Sequence, residues 1–446
     1  WGLDHFGVST GSAMGDLDGD GDLDLIVNGF EEPILVYRND VSIGNPLRIK
    51  LKGRASNSGG IGTKIVLDTN NGRKSMVRYV TGSRGFMSSS EPIVHFGLGN
   101  MDMAEKITIY WPSGITQILQ DIPANFLYVI AEPNLPSQKI NQPSLVKSVG
   151  TMFSSSEVGL AKVLHQEMEY DDFQRQKLLP NKSSQLGPGM AWGDIDGDGY
   201  DDVFIGGSAG FMGMLFLNMG NGQFKNALQI CFSYDVRSED MGSLFFDFDR
   251  DGDLDLYVVS GGVECKPGDV LLRDRLYIND GTGNFQKGSL DLLPDIRSSG
   301  SVVAAADIDG DSHLELFIGG RIVPGKYPET PQSYVLRYTG AKYENVTDAI
   351  APEIKQAGMV TSALFTDVDG DHKPDLMVTY EWGPVRYFHN DNGRLIDRTS
   401  QAGLANRQGW YNSISGGDMD NDGAVSYTHL RAHETSLHLV CRLLLE

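Results

Sequence analysis

The chain is poor in cysteine, in basic charge and in long apolar runs, and each shortage removes a class of protein. Three cysteines occur in 446 residues: Cys231, Cys265 and Cys441. Their spacing is too wide for a zinc site. Cys231 and Cys265 flank one acidic stretch and are either a disulfide formed in an oxidising compartment or two buried thiols. Lysine and arginine number 37 against 59 acids, so the formal charge is −22 and the pI is near 4.7. Such a surface disfavours nucleic acid and anionic membranes as partners. No run approaches the roughly 18 apolar residues of a membrane-spanning helix. Catalytic signatures are missing as well: there is no G-x-S-x-G elbow, H-E-x-x-H, P-loop or dinucleotide fingerprint. The opening, WGLDHFG, has no initiator Met or leader pattern and enters mid-motif, so the chain reads as a fragment and its start is silent about export.

What is present is glycine (54 residues), aromatic residues, and a crowd of aspartates arranged in one recurring pattern. In GDIDGDGYDDVFIGG, Asp194, Asp196 and Asp198 alternate, Gly199 follows, and Asp202 opens an apolar β-prone run. Carboxylates so close repel one another unless a cation sits among them. Calcium takes six to eight oxygen ligands and suits acids at loop positions one, three, five and nine. Glycine at position six permits the positive φ that turns the chain back. The pattern recurs at Asp16, Asp18, Asp20 and Asp24, and at Asp247, Asp249, Asp251 and Asp255. Further copies are Asp307, Asp309, Asp311 and Glu315, then Asp367, Asp369, Asp371 and Asp375, and the start of a sixth, Asp418, Asp420 and Asp422. From the second copy on, the first aspartates lie 53, 60, 60 and 51 residues apart, a period of propellers or solenoids. Backbone carbonyls at position seven (Asp22, Tyr200, Asp253, His313, Lys373) complete the expected ligand set. Six bound Ca²⁺ ions would take the charge from −22 to about −10, which makes calcium a structural requirement.

Each acidic stretch follows one short apolar strand and leads into another, and a third ends near an Asn-Gly or Gly-Asn turn, as in LFLNMGNGQF, LYINDGTGNF and YFHNDNGRLI. Three or four short strands per unit describe a propeller blade. The EF-hand is excluded, because loop position twelve falls on Val27 or Ile205 inside a strand. Between the first and second copies, residues 46–132 read as a separate all-β module, with a hairpin turning at Asn70-Asn71-Gly72. Residues 133–150, with three prolines, read as a linker. Residues 157–179 are a helix or an irregular lead-in; Gly159 and the acidic cluster favour the lead-in. Residues 425–446 break the repeat and resemble read-through of sequencing-adapter DNA, so they are set aside as a non-native tail, with an amphipathic helix as the alternative.

The D-x-D-x-D-G-x-x-D loops between strands resemble FG-GAP, or VCBS-type, repeats, the calcium-loop blades of integrin α-subunit propellers and many secreted bacterial proteins. The module with IGTKIVL, VTGSRGFMSS, VHFGLG at 94–99 and IYWPSG at 109–114 resembles the ASPIC/UnbV domain. The resemblance implies an all-β fold: residues 1–44 as the last blade of a first propeller, 45–132 as the ASPIC/UnbV domain, and 151–424 as about five blades of a second. It implies a Ca²⁺-binding, non-enzymatic module that is extracellular, on the cell surface or periplasmic, and binds or adheres to a protein or glycan. The alternative is a propeller enzyme acting on polysaccharide, a lyase or sugar oxidoreductase, with Arg321, Arg386 and Tyr380 as candidate channel residues. No residue is assigned a catalytic role. His95 and Trp111 read as structural, Trp382 as blade packing more readily than as a sugar platform, and Asn181 and Asn345 as sequons only in a eukaryotic secretory setting. Ser312 and His372 replace glycine at position six, so the Asp307 and Asp367 loops are predicted to bind more weakly than those at Asp194 and Asp247.

Overall fold

The computed structural model describes residues 9–17, 23–29, 33–39, 44–69, 74–82, 88–90, 92–134, 154–155, 160, 163–220, 222–417 and 426–431. β-Branched and aromatic residues fill the runs between acidic stretches, and Gly or Asn turns separate them, so each run becomes a short strand. The strands assemble in chain order into four-stranded antiparallel sheets, here called blades. Blade 2 comprises Met190–Gly193, Asp202–Ile205, Met214–Asn218 and Phe224–Asn226. Blade 3 comprises Glu239–Phe246, Asp255–Gly261, Arg275–Asn279 and Phe285–Lys287. Blade 4 runs through Ser299–Ala306, Glu315–Ile322, Tyr334–Tyr338 and Tyr343–Asn345, and blade 5 through Val360–Thr366, Asp375–Tyr380, Arg386–Asn390 and Leu395–Asp397. Every acidic loop joins the first strand of a blade to its second. The fold is an all-β propeller.

The first two strands of blades 3, 4 and 5 are buried at every position. Alternating burial is lost because neighbouring blades cover both faces. Apolar clusters fill the gaps: Trp192 and Phe216 of blade 2 meet Ile26 of the strand Asp24–Gly29, Phe204, Phe232 and Tyr277 lie between blades 2 and 3, and Val302, Phe365 and Tyr380 between 4 and 5. Close approach of the inner strands demands glycine. A Cβ on Gly189 would lie 1.7 Å from the Met241 carbonyl oxygen, and one on Gly242 would lie 2.8 Å from that of Ser301. Asn218 and Asn279, ending the third strands, bind backward across the blade boundary. Their Nδ2 groups donate to the carbonyls of Leu17 (3.3 Å) and Ile195 (2.7 Å), the second residue of the preceding loop. Asn390 does the same to Ile308 at 2.9 Å. Blade 4 has Tyr338 at this place, and its ring meets Phe248 edge to face, 5.5 Å between centroids.

Residues 1–44 are expected to be the last blade of a first propeller and residues 425–446 a non-native tail. Ser9–Gly15, Asp24–Gly29 and Leu35–Arg38 take Ser154–Ser155 as their fourth strand, forming blade 1, and this blade packs on blade 2 through Ala13, Leu17, Met190 and Trp192. The module at 46–132 is therefore inserted inside one blade of a single series. The stretch set aside as a tail also contributes, since Ser426–Arg431 pairs antiparallel with Tyr411–Gly417 as the second strand of blade 6. Within the stretch 157–179, the described residues from 163 on are irregular, as favoured, with one helical turn at Asp172–Arg175. Cys231 and Cys265 are free thiols. The turn at Asn70–Gly72, most of the linker at 133–150 and the rest of the tail lie outside the described residues.

The inserted module packs a three-stranded sheet (Pro46–Lys52 between Ile93–Gly97 and Phe126–Ala131) near a four-stranded one. The latter comprises Lys74–Tyr79, Lys64–Thr69, Met103–Tyr110 and Thr116–Pro123. Leu47, Ile49, Ile65, Phe96, Ile107 and Trp111 form its core. Trp111, 3% exposed, donates its indole N–H to Gln117, in line with a packing role.

Replacing Asn279 by Ala removes the bonds to Ile195 and Leu254 and leaves buried carbonyls unpaired. The expected cost is about 1–3 kcal/mol. Asn284→Ala in the exposed turn next to it is expected to change stability by less than about 0.5 kcal/mol. Urea denaturation of the two variants at fixed calcium measures the difference.

Candidate metal centre: the acidic loops and the domain that covers them

The acid at position nine is the anchor of each described loop. Asp202 accepts from the Ile195 N–H at 3.1 Å and, through its other oxygen, from the Asn218 N–H at 2.8 Å. Asp24, Asp255 and Asp375 repeat the arrangement with Leu17 and Asn39, Phe248 and Asn279, and Val368 and Asn390. This carboxylate ties the loop to the third strand. Glu315 keeps the first bond, to Ile308, and gives its other oxygen to Arg337 Nε at 2.9 Å.

Positions three and five lie nearer the solvent and brace the turn. Asp196 accepts from Asp198 N–H and Asp198 from Tyr200 N–H, with the same pair in the later loops. Ser312 and His372 adopt φ of 73° and 67°, as position six requires. Position four, overlooked in the sequence, also has positive φ: Gly197, Gly310 and Gly370 meet it freely, whereas Arg250 adopts 65°. The loops at Asp247, Asp307 and Asp367 thus each carry one non-glycine residue in the left-handed region.

Oxygens of Asp194, Asp196 and Asp202 lie within 4.8 Å of one another, as do those of the triplets Asp247-Asp249-Asp251, Asp307-Asp309-Asp311 and Asp367-Asp369-Asp371. That separation is twice a Ca–O bond of about 2.4 Å, so one hard cation fits between each set. Asp194 Oδ1 is buried with no hydrogen-bond partner, a vacancy in bonding that a cation would fill. Burial pushes Asp202 and Asp255 up to about 7, Asp307 and Asp375 to about 6 and Glu315 to about 8, with neighbouring carboxylates adding to the shift. Asp18, Asp20 and the whole Asp418-Asp420-Asp422 stretch lie outside the described residues; Asp16 and Asp24 are placed.

The loops differ in their basic neighbours. Lys50 lies 3.3 Å from Asp194, Arg337 spans Asp309 and Glu315 at 2.8 and 2.9 Å, and His389 faces Asp369 and Asp375 at 3.0 and 3.3 Å. Arg48 is ion-paired with Asp16. Among the described residues, the Asp247 loop has no basic side chain paired to its five acids, and Asp253 at position seven is driven to about 7 by burial and by Asp251. Arg337 and His389 thus set the fourth and fifth loops apart from the third in local charge, whereas all three share one non-glycine residue at positive φ.

Many of these contacts come from the inserted module, which sits on the acidic-loop side. Arg48 and Lys50 alternate on one strand and point to the first and second loops, away from Leu47 and Ile49. Asn57 and Ser58 lie against Asp247 and Phe248 in the third. Ser312 of the fourth donates to the Ala55 carbonyl, in a segment held by the buried Glu132, which accepts from the N–H groups of Arg54, Ala55 and Ser56. Tyr79 OH reaches Asp367 at 3.5 Å, and Tyr110 stacks on His372 with centroids 4.9 Å apart. Ser88 bridges to Met190, Ser89 N–H donates to the Met190 carbonyl, and Ser12 N–H donates to Ser88 Oγ, so this segment is wedged between the inner strands of blades 1 and 2.

Taken together, the blades define an acidic-loop β-propeller with a β module inserted into its first described blade. The ASPIC and UnbV family matches residues 53–137, and the FG-GAP-like repeat family matches 184–258, 268–318 and 332–425. Residues 184–425 therefore carry FG-GAP-like repeats, and residues 53–137 an ASPIC and UnbV domain. It is 35% identical over 116 residues to cartilage acidic protein 1 of Mus musculus and of Homo sapiens, covering 25% of this chain and 18% and 17% of those proteins. The match thus spans less than a fifth of either relative. Among solved structures, a fucose-specific lectin from Aleuria aurantia (8% identity, TM-score 0.29) covers 87% of this chain and 96% of its own. The Dos1 propeller (9%, 0.29) covers 87% and 84%. At such scores these likenesses carry no argument, and the fold rests on the blades and the repeats.

Two outcomes follow from the loops. The raised acids hold protons more tightly in the folded, cation-free chain than in the unfolded one. Their contribution is present below about pH 4 and is lost as pH rises through 6–8. Calcium must displace those protons, so the gain in Tm between chelator and about 1 mM Ca²⁺ is expected to widen from pH 5 to pH 8; a gap independent of pH would refute the assignment. Arg337→Gln is expected to tighten calcium at the fourth loop about tenfold by freeing two carboxylates, read by calorimetric titration against an Asp307→Ala blank.

Proposed function

We propose that this chain is a calcium-stabilised, non-enzymatic propeller acting outside the cytoplasm, and that it binds a protein or glycan through the face opposite its acidic loops. The observation that carries the reading is the placement of the inserted module: its contacts reach all five described loops, so one face is covered and the other is left for a partner. Loops on a rigid scaffold are the usual seat of binding. The uncovered face carries the connections between second and third strands and the lead-in at 163–180. Arg175 of that lead-in donates to the carbonyls of Val263, Cys265 and Pro324 across blades 3 and 4. Calcium-loop modules with affinities of about 10⁻⁴–10⁻³ M fill only in a calcium-rich exterior. Of the three residues considered for catalysis, the two arginines have structural partners: Arg386 pairs with Asp397 over the Phe388 ring, and Arg321 pairs with Glu381.

Arrays of secreted proteins and of glycans, probed in about 1 mM Ca²⁺ and again in chelator, test the reading. Calcium-dependent capture is expected. Depolymerisation or oxidation of a polysaccharide, abolished by a single substitution on the uncovered face, would replace it with the enzyme reading.

A further inference from the structure

Blade 5 departs from its neighbours in one respect. Between its second and third strands, Gly383–Pro384 pairs antiparallel with Gln408–Gly409, a two-residue ribbon outside the blade sheets. The register sets Trp382 opposite Trp410, and the two rings lie 4.9 Å apart at 53°. Trp382 is 53% exposed and therefore is not the blade-packing residue anticipated from the sequence.

Its orientation is held nonetheless. The Trp382 indole N–H donates to Tyr327 OH at 2.8 Å, and Tyr327 OH donates to Glu381 Oε1 at 2.8 Å. Glu381, 3% exposed, pairs with Arg321 at 2.5 Å; Arg321 is itself 6% exposed, and its Nε has no hydrogen-bond partner. An exposed indole is thus fixed by a ribbon and by a buried polar chain that ends on Arg321, whose Nε is buried without a partner. Rigid aromatic faces backed by hydrogen-bonding groups reduce the ordering cost of a ligand that offers an apolar face and a polar rim. The ring face of a pyranose is such a ligand. The Arg321–Glu381 pair cancels its own charge, and a chain of net charge −22 repels uronates and sulfated sugars.

We infer that Trp382 and Trp410, backed by Tyr327, Glu381 and Arg321, form a binding site for a neutral glycan on the uncovered face. This inference rests on the binding reading proposed above and names its ligand class.

The test is a glycan array of neutral hexose oligomers, with uronate and sulfated oligomers alongside and immobilised secreted proteins as a parallel arm, in calcium. Hits are followed by tryptophan fluorescence and calorimetry on the full chain and on Trp382→Ala, Trp382→Phe and Asn284→Ala. Neutral oligomers are expected to bind and to shift the emission, with Trp382→Ala weakening binding by about tenfold or more. Trp382→Phe should retain part of the affinity and Asn284→Ala all of it. Circular dichroism and calcium titration matching the parent show that Trp382→Ala is folded. Neutral glycan bound equally by Trp382→Ala overturns the site and leaves the binding reading standing. Binding confined to charged sugars or to proteins overturns the ligand class alone. Silence in every arm overturns both.

Discussion

The buried carboxylate at position nine of each loop carries more of this structure than the exposed acids beside it. Asp202, Asp255 and Asp375 each accept two backbone N–H groups, one from their own loop and one from the third strand of the same blade. The asparagine that supplies the second N–H extends its side chain to the preceding loop. Loop, blade and blade boundary are therefore joined through one pair of residues repeated along the chain. Removing water from such a carboxylate is unfavourable, and only its full set of donors offsets that. A cation among the neighbouring acids would reinforce the same arrangement, because it relieves the repulsion that burial intensifies.

The inserted module changes what the acidic face is for. An array of open, negatively charged loops would be an obvious surface for cationic partners. Here Arg48, Lys50, Ser58 and Ala55 meet the first four loops in turn, and Tyr79 and Tyr110 both meet the fifth. Lys50 takes one carboxylate of its loop, Arg337 and His389 take two each, and the Asp247 loop alone among those described keeps all its acids unpaired with a base. Sites that look alike as motifs thus differ in local charge. The opposite face carries the strap at 163–180 and the Trp382–Trp410 ribbon.

Much of the fold was legible because the repeat writes its own boundaries. The aspartate spacing marks where a first strand ends and a second begins, and the Asn-Gly turns mark where a third ends. The positive φ at Ser312 and His372 was equally readable from a shared position. The Asn218, Asn279 and Asn390 series was visible as a recurring letter but looked like turn chemistry, since its partner lies in the previous blade. Arg337 and His389 gave no signal, because a single base in a third strand is ordinary. Trp382 was weighed toward packing, and only its burial could decide that.

By itself the sequence determined the local units: acidic loops, short strands, the β module between the first two copies, and an acidic chain without a long apolar run. These follow from patterns that span a dozen residues, which is the range over which period, turn chemistry and like-charge crowding act. The tertiary structure alone decided that Ser154–Ser155 completes a blade begun at Ser9, so that the module is an insertion within one propeller. It also decided which face the module covers, through contacts separated by 76, 144 and 257 residues. Contacts at such distances are chosen by shape and charge once the blades exist, and no local pattern announces them.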